Sequence, residues 1–184
     1  MPEPASSRAG AEQVAVYDAG GRVTGTADRA TVYADGLWHA SAGVLIRSTD
    51  RRRLYVHRRT RQKAVFGGLI DCLAGGVIDP GESVETAARR ELAEELGVTV
   101  DGVMTPLTSG RWEGRSGDAT IRCHLTAFVV DHDGPFRWQA SEIADAWWWS
   151  AAELAAAIAD SGSDFVPDTR AMLRDVQWDQ VASG

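Results

Sequence analysis

The chain is 184 residues long, 44% hydrophobic and 24% charged, with a formal net charge of −7. This is one domain's worth of ordinary globular composition, which excludes a largely disordered chain. The acidic balance argues against a protein that tracks nucleic-acid backbones, and no apolar run approaches the ~18–20 residues that cross a bilayer.

Residues 1–12 are rich in Pro, Ala, Ser, Gly and Glu and predict a mobile tail with no hydrophobic signal core. A cytoplasmic protein with no membrane association and no stable nucleic-acid partner is expected. Val14-Ala-Val-Tyr17 and Arg22-Val-Thr-Gly-Thr26 flank Asp18-Ala-Gly-Gly21, which predicts strand, turn and strand. We therefore divide the chain into a tail (1–12), an N-terminal strand pair (13–38) and a main domain (39–181), one domain overall.

Ala42 to Ile46 reads as a buried strand and Leu54 to His57 as the next, joined by the polar hairpin loop 48–53. Arg58, Arg59, Arg61 and Lys63 follow. A short apolar run, 69–73, ends in Ala74-Gly75-Gly76. Residues 83–96 have helical spacing and good helix formers, and Gly97 stops them. In 119–130, Ile121, Cys123, Leu125, Ala127 and Val129 alternate as in a strand. Cys72 and Cys123 cannot build a disulfide framework and read as buried thiols. Trp147-Trp148-Trp149 forms another strand, so alternate rings must face opposite sides. Ser150-Ala-Ala-Glu153 is a capping box that opens a helix to about Ala159. Pro167 suits the first turn of a last helix, running towards Val181. The order predicts an α/β (α+β) domain with a central sheet and helices packed against it.

The helix at 83–96 carries the chemistry. Val84, Ala87, Ala88, Glu91, Glu95 and Val98 share one side at spacings of three and four. An apolar stripe thus turns into carboxylates, with Glu94 beside them. Buried and unpaired, such groups cost several kcal/mol each or protonate. Arg90 balances one of them. A hard divalent cation with oxygen ligands balances the set.

The spacing is Gly76, five residues, Glu82, seven residues, then Arg90-Glu91-Leu92-Ala93-Glu94-Glu95-Leu96-Gly97-Val98. This resembles the Nudix hydrolase signature at every fixed position. The resemblance implies the Nudix fold, a central mixed sheet sandwiched between helices, here with an extra N-terminal β-hairpin. It implies Mg²⁺, with Mn²⁺ as a substitute, held by Glu91, Glu94, Glu95 and the Gly76 carbonyl. Arg90 would orient the glutamates, and Glu82 would be a supporting or helix-start carboxylate. The implied activity is hydrolysis of a diphosphate linkage in a small nucleoside diphosphate derivative by metal-activated water. A general base must take the water's proton. Glu95 is the first choice, Glu94 the second, and Glu142 a candidate from a later loop. Arg58, Arg59 and Lys63 could clamp substrate phosphates or carboxylates. One tryptophan of 147–149, or Trp112, could stack on a base. A homodimer follows by family analogy only.

A second resemblance lies upstream. Val16-Tyr-Asp-Ala-Gly-Gly-Arg-Val-Thr-Gly25, Leu37-Trp-His-Ala40 and the Arg-rich stretch leading to Phe66-Gly-Gly68 look like the layout of isopentenyl diphosphate isomerases. In those enzymes the active-site cysteine precedes a Gly-His pair. Ala74-Gly75-Gly76 stands at that place here, with Cys72 two residues away. Two alternatives thus stand beside the hydrolase: an isomerase-like enzyme and a non-catalytic nucleotide-binding module.

Overall fold

The structure is a computed structural model that describes residues 12–183. Most of the expected tail, residues 1–11, lies outside the described residues. Among the described residues nine strands, β1 to β9, form one hydrogen-bonded sheet system, and five helices, α1 to α5, pack on it.

The central strand β3 (Trp38–Arg47) pairs antiparallel with β6 (Leu73–Val77) and parallel with β8 (Ala119–Asp131). Its residues alternate between two cores, as a period of two requires. Ala40, Ala42, Val44 and Ile46 face α2 (Val84–Leu96), where they meet Ala87, Ala88, Leu92 and Leu96. Leu45 faces the other way, towards Leu54, Val56, Phe165 and Leu173. That second core is closed by α3 (Ala151–Ala159) and α4 (Pro167–Leu173). In β8, Ile121, Cys123, Leu125, Ala127 and Val129 go to the second core, and Phe128 and Val130 to the first. Each fully buried leucine or isoleucine contributes about 1.5–3 kcal/mol. The central mixed sheet between helix layers is the expected fold class.

Helix α2 starts where Ser83 accepts a hydrogen bond from Thr86 N and ends at Gly97, which is left-handed at φ 66°. That conformation is cheap for glycine alone. Ser150 and Glu153 form the expected capping box of α3.

β4 (Leu54–Arg59) pairs with the short β5 (Ile70–Asp71) and with β9 (Ile143–Trp149). Trp147 and Trp149 pack on the second core and Trp148 on the first, as alternation demands.

At the N-terminal end, β1 (Gln13–Tyr17) and β2 (Val23–Asp28) form a hairpin, and β1 joins the edge of β3. A short helix not foreseen in the sequence, α1 (Arg29–Ala34), follows. Val14 and Val32 close a small core on Val77 of β6.

Two further differences stand out. Residues 105–116 form a long strand, β7 (Thr105–Ser116), paired with β8. Its Pro106, Gly110 and Gly114 interrupt the apolar alternation, and an edge strand tolerates them. The last helix is two: α4, then α5 (Trp178–Ser183) after a break. Among the described residues no helix is long and apolar enough to cross a membrane.

Candidate active site

The site forms where α2 runs along β6. Close approach is possible because two consecutive residues of β6 lack side chains. A Cβ on Gly75 would lie 2.2 Å from the Ala42 carbonyl oxygen, and one on Gly76 would lie 2.5 Å from Glu91 Oε1.

Arg90 organises the carboxylates. Its Nε and Nη2 donate to Glu82 Oε1 and Oε2 at 3.0 and 2.9 Å. Its Nη1 donates to Glu91 Oε1 at 2.6 Å, and Nη2 also reaches the Val77 carbonyl at 3.1 Å. Glu82 Oε2 accepts a further bond from Asp79 N at 3.1 Å. The guanidinium holds the Glu82 carboxyl below its usual range. Burial pushes the Glu91 carboxyl up despite Arg90.

Glu95 is the deepest of the three box glutamates, at 4% exposure. Its Oε2 accepts from Gly75 N at 3.2 Å, and its Oε1 lies 3.9 Å from Lys63 Nζ. Burial pushes its carboxyl up to about 7, against the lowering effect of Lys63 and Arg59. Glu94 is different: its side chain is 56% exposed and lies 3.5 Å from Arg90 Nη1.

Among the described residues no three His, Cys, Asp or Glu side chains converge as a metal-binding group. The donors nevertheless fit a hard divalent cation in kind, since carboxylate oxygens line the Gly75–Gly76 backbone. Arg90 and Lys63 now supply the positive charge there.

A cavity of about 540 Å³ opens from this place. Gly75, Gly76, Lys63 and Glu142 are among its lining residues, and the box glutamates are not. Lys63 Nζ contacts the Glu142 carboxylate, so the loop candidate Glu142 is next to the box. Arg59 also lines the cavity. Its Nη2 donates to the Val65 carbonyl at 3.2 Å and its Nη1 lies 3.7 Å from Asp71 Oδ2. Arg58 is not brought there. Its Nη1 donates to the Gly68 carbonyl and to Asp164 Oδ2, both at 2.8 Å, which ties down the 60s loop.

Several lining groups were not singled out from the sequence. Asp71 is 4% exposed and accepts from Cys72 N and Leu73 N at 2.8 and 3.2 Å. Asp168 lies close enough that burial, then the Asp71 charge, push its carboxyl up to about 6. An aspartate inside the apolar run 69–73 was a legible signal; Asp168 in a helix's first turn reads as ordinary capping. Arg29 and Tyr33 of α1 add a wall, with Arg29 gripped by Glu12 at 2.9 and 3.0 Å. Nothing in their sequence marks them.

The tryptophans considered for base stacking do not line the cavity. Trp112 packs edge-on against Phe66 at 5.8 Å, and Trp147 against Trp149 at 5.9 Å. Cys72 is 1% exposed and outside the cavity lining, and burial holds its thiol well above the ordinary range.

Comparison with known proteins gives the family. The NUDIX domain model matches residues 37–169. The chain belongs to the Nudix family. Membership carries the activity class, a hydrolase acting on pyrophosphate bonds. The uncharacterized Nudix hydrolase orf19 of Rhodococcus erythropolis is 53% identical over 171 residues, covering 91% of this chain and 92% of that one. The uncharacterized Nudix hydrolase PA4841 of Pseudomonas aeruginosa is 36% identical over 138 residues, 74% and 77% of the two chains. The crystal structure of DR0079 from Deinococcus radiodurans shares the fold at a TM-score of 0.70 and 23% identity, covering 90% and 99%. In this Nudix chain the family match begins at residue 37, after the hairpin and α1.

Proposed function

We propose that the chain is a Mg²⁺-dependent pyrophosphohydrolase that cleaves a diphosphate linkage in a small nucleoside diphosphate derivative. The observation that carries this reading is the packing of Glu91 and Glu95 against the side-chain-free backbone of Gly75 and Gly76, two glycines that line a cavity. Glu91, Glu94, Glu95 and the Gly76 carbonyl would hold the cation. Mg²⁺, when bound, supplies charge neutralisation for a diphosphate and acidifies water; Mn²⁺ substitutes in kind.

The chain's own residues do the rest. Glu82 fixes Arg90, and Arg90 fixes the Glu91 carboxylate. Arg59 and Lys63 bind phosphate oxygens within the cavity, while Arg58 braces the loop that carries Lys63. Water attacks one phosphorus, the bridging P–O bond breaks, and two phosphate products leave. Glu95 takes the proton of the attacking water, with Glu94 and Glu142 as the other carboxylates in reach of the same task.

No observation favours the isomerase-like alternative. Ala74 stands where the reactive cysteine would be, and Cys72 is buried outside the cavity lining.

The test is a substrate screen with Mg²⁺ across nucleoside diphosphate sugars, dinucleotides, nucleoside triphosphates, coenzyme A and isopentenyl diphosphate. Phosphorus NMR follows each, with proton NMR for the isoprenoid. Cleavage at a diphosphate link supports the reading. Isomerised isoprenoid, or no turnover of any compound, overturns it.

A further inference from the structure

Lys63 is the one lysine in a chain with 19 basic residues. It sits in the turn after β4, where Lys63 N donates to the Thr60 carbonyl at 3.3 Å and Thr60 N donates to the Glu142 carbonyl at 2.9 Å. The turn is thus pinned to the segment that carries Glu142. The Lys63 side chain is 15% exposed, so its ammonium is largely withdrawn from water and depends on protein oxygens. Two carboxylates supply them. Nζ contacts Glu142, and Glu95 Oε1 lies 3.9 Å away.

The two Glu95 oxygens have different neighbours: Oε2 accepts from Gly75 N at 3.2 Å, and Oε1 is the oxygen that Lys63 faces. A divalent ion needs oxygen ligands at about 2.0–2.1 Å. An ammonium and such an ion against one carboxylate oxygen repel strongly, because little water separates them.

We propose that Lys63 is the resident counter-ion of the cation site. Its ammonium neutralises Glu95 and Glu142 until a divalent cation binds at Glu95. Lys63 then moves off Glu95 into the cavity it lines, where a substrate phosphate is its new partner. This rests on the reading of the box glutamates as cation ligands. It makes cation binding and the placement of the phosphate-binding lysine one event.

A single lysine makes the test direct. The full chain is reductively methylated with ¹³C, and the Lys63 dimethylammonium resonance, distinct from that of the N-terminal amine, is followed as Mg²⁺ alone is added. The resonance should shift and narrow as the site fills. In parallel, Mg²⁺ binding is measured by titration calorimetry without substrate. Lys63→Met should bind at least about tenfold more tightly than wild type, whereas Arg59→Gln, which removes a nearby charge not seated on Glu95, should change affinity by less than about threefold. A lysine resonance unmoved at saturation, or equal gains in both variants, overturns the proposal while leaving the cation site standing. No Mg²⁺ binding by wild type or Lys63→Met overturns the cation-ligand reading and the proposal with it. The labelling experiment uses the wild-type sequence and decides the matter if a variant fails to fold.

Discussion

Arg90 grips Glu82 through two parallel hydrogen bonds, Nε to Oε1 at 3.0 Å and Nη2 to Oε2 at 2.9 Å. A third N–H of the same guanidinium reaches Glu91 at 2.6 Å. The planar fork therefore transmits the position of one carboxylate, just before α2, to another nine residues further on within it. A lysine carries the charge but not the fork. Arg90→Lys and Glu82→Gln should each cost about 10–100-fold in activity, as loss of a ligand-orienting partner does. Thermal unfolding should move little. Steady-state kinetics beside a melt checks this; an equal loss of stability would mean that Arg90 only holds the fold.

The two glycines of β6 should respond differently. At Gly75 a new Cβ meets the Ala42 carbonyl, which belongs to the central strand and cannot give way. Gly75→Ala should destabilise by about 1–3 kcal/mol or more. At Gly76 the obstacle is the Glu91 carboxylate, the far end of a flexible side chain. Gly76→Ala should keep most of the stability and lose activity as Glu91 is displaced. Denaturant titration and rate measurements on the pair separate the two cases.

The contrast also shows what was legible in the sequence. The box was readable because it is local: a carboxylate stripe on one helix and a glycine strand at fixed spacing before it. The α2 cap at Ser83 and stop at Gly97, the alternation in β8 and the split facing of the three tryptophans follow the same short-range rules. The cavity was not readable. Asp71, Asp168 and Arg29 come from three distant segments, and only the packing of β5, α4 and α1 brings them to one space. β7 is not legible in the sequence because an edge strand, solvated along much of its length, carries little apolar periodicity. Arg58 and Arg59 are adjacent in sequence, but the strand register shifts between them and only Arg59 lines the cavity.

His57 gives a pH dependence. It is 1% exposed, and burial lowers its imidazole to about 4. Its folded value lies below the unfolded ~6.5, so below pH 6.5 the unfolded chain binds the extra proton. This contribution to stability is complete above pH 6.5 and declines as pH falls towards 4. At pH 5 the loss is about 2 kcal/mol from this residue. Urea unfolding of wild type and His57→Gln at pH 7 and pH 5 should show the variant losing less on acidification. Equal losses would show that His57 does not titrate between these values.

Cys72 is packed among Leu45, Val56 and Phe165 in the second core. Cys72→Ala should leave activity within about twofold and cost about 1 kcal/mol of stability. A collapsed rate in a folded variant would bring back chemistry of the isomerase type.

The central claim, that the carboxylates beside Gly75 and Gly76 hydrolyse a diphosphate, is tested most directly at Glu95. Glu95→Gln keeps the acceptor for Gly75 N and removes the charge. With the substrate found in the screen and saturating Mg²⁺, it should lose about 10²–10⁴-fold in kcat with an unchanged melting temperature. A folded Glu95→Gln chain that turns over at the wild-type rate would contradict the account.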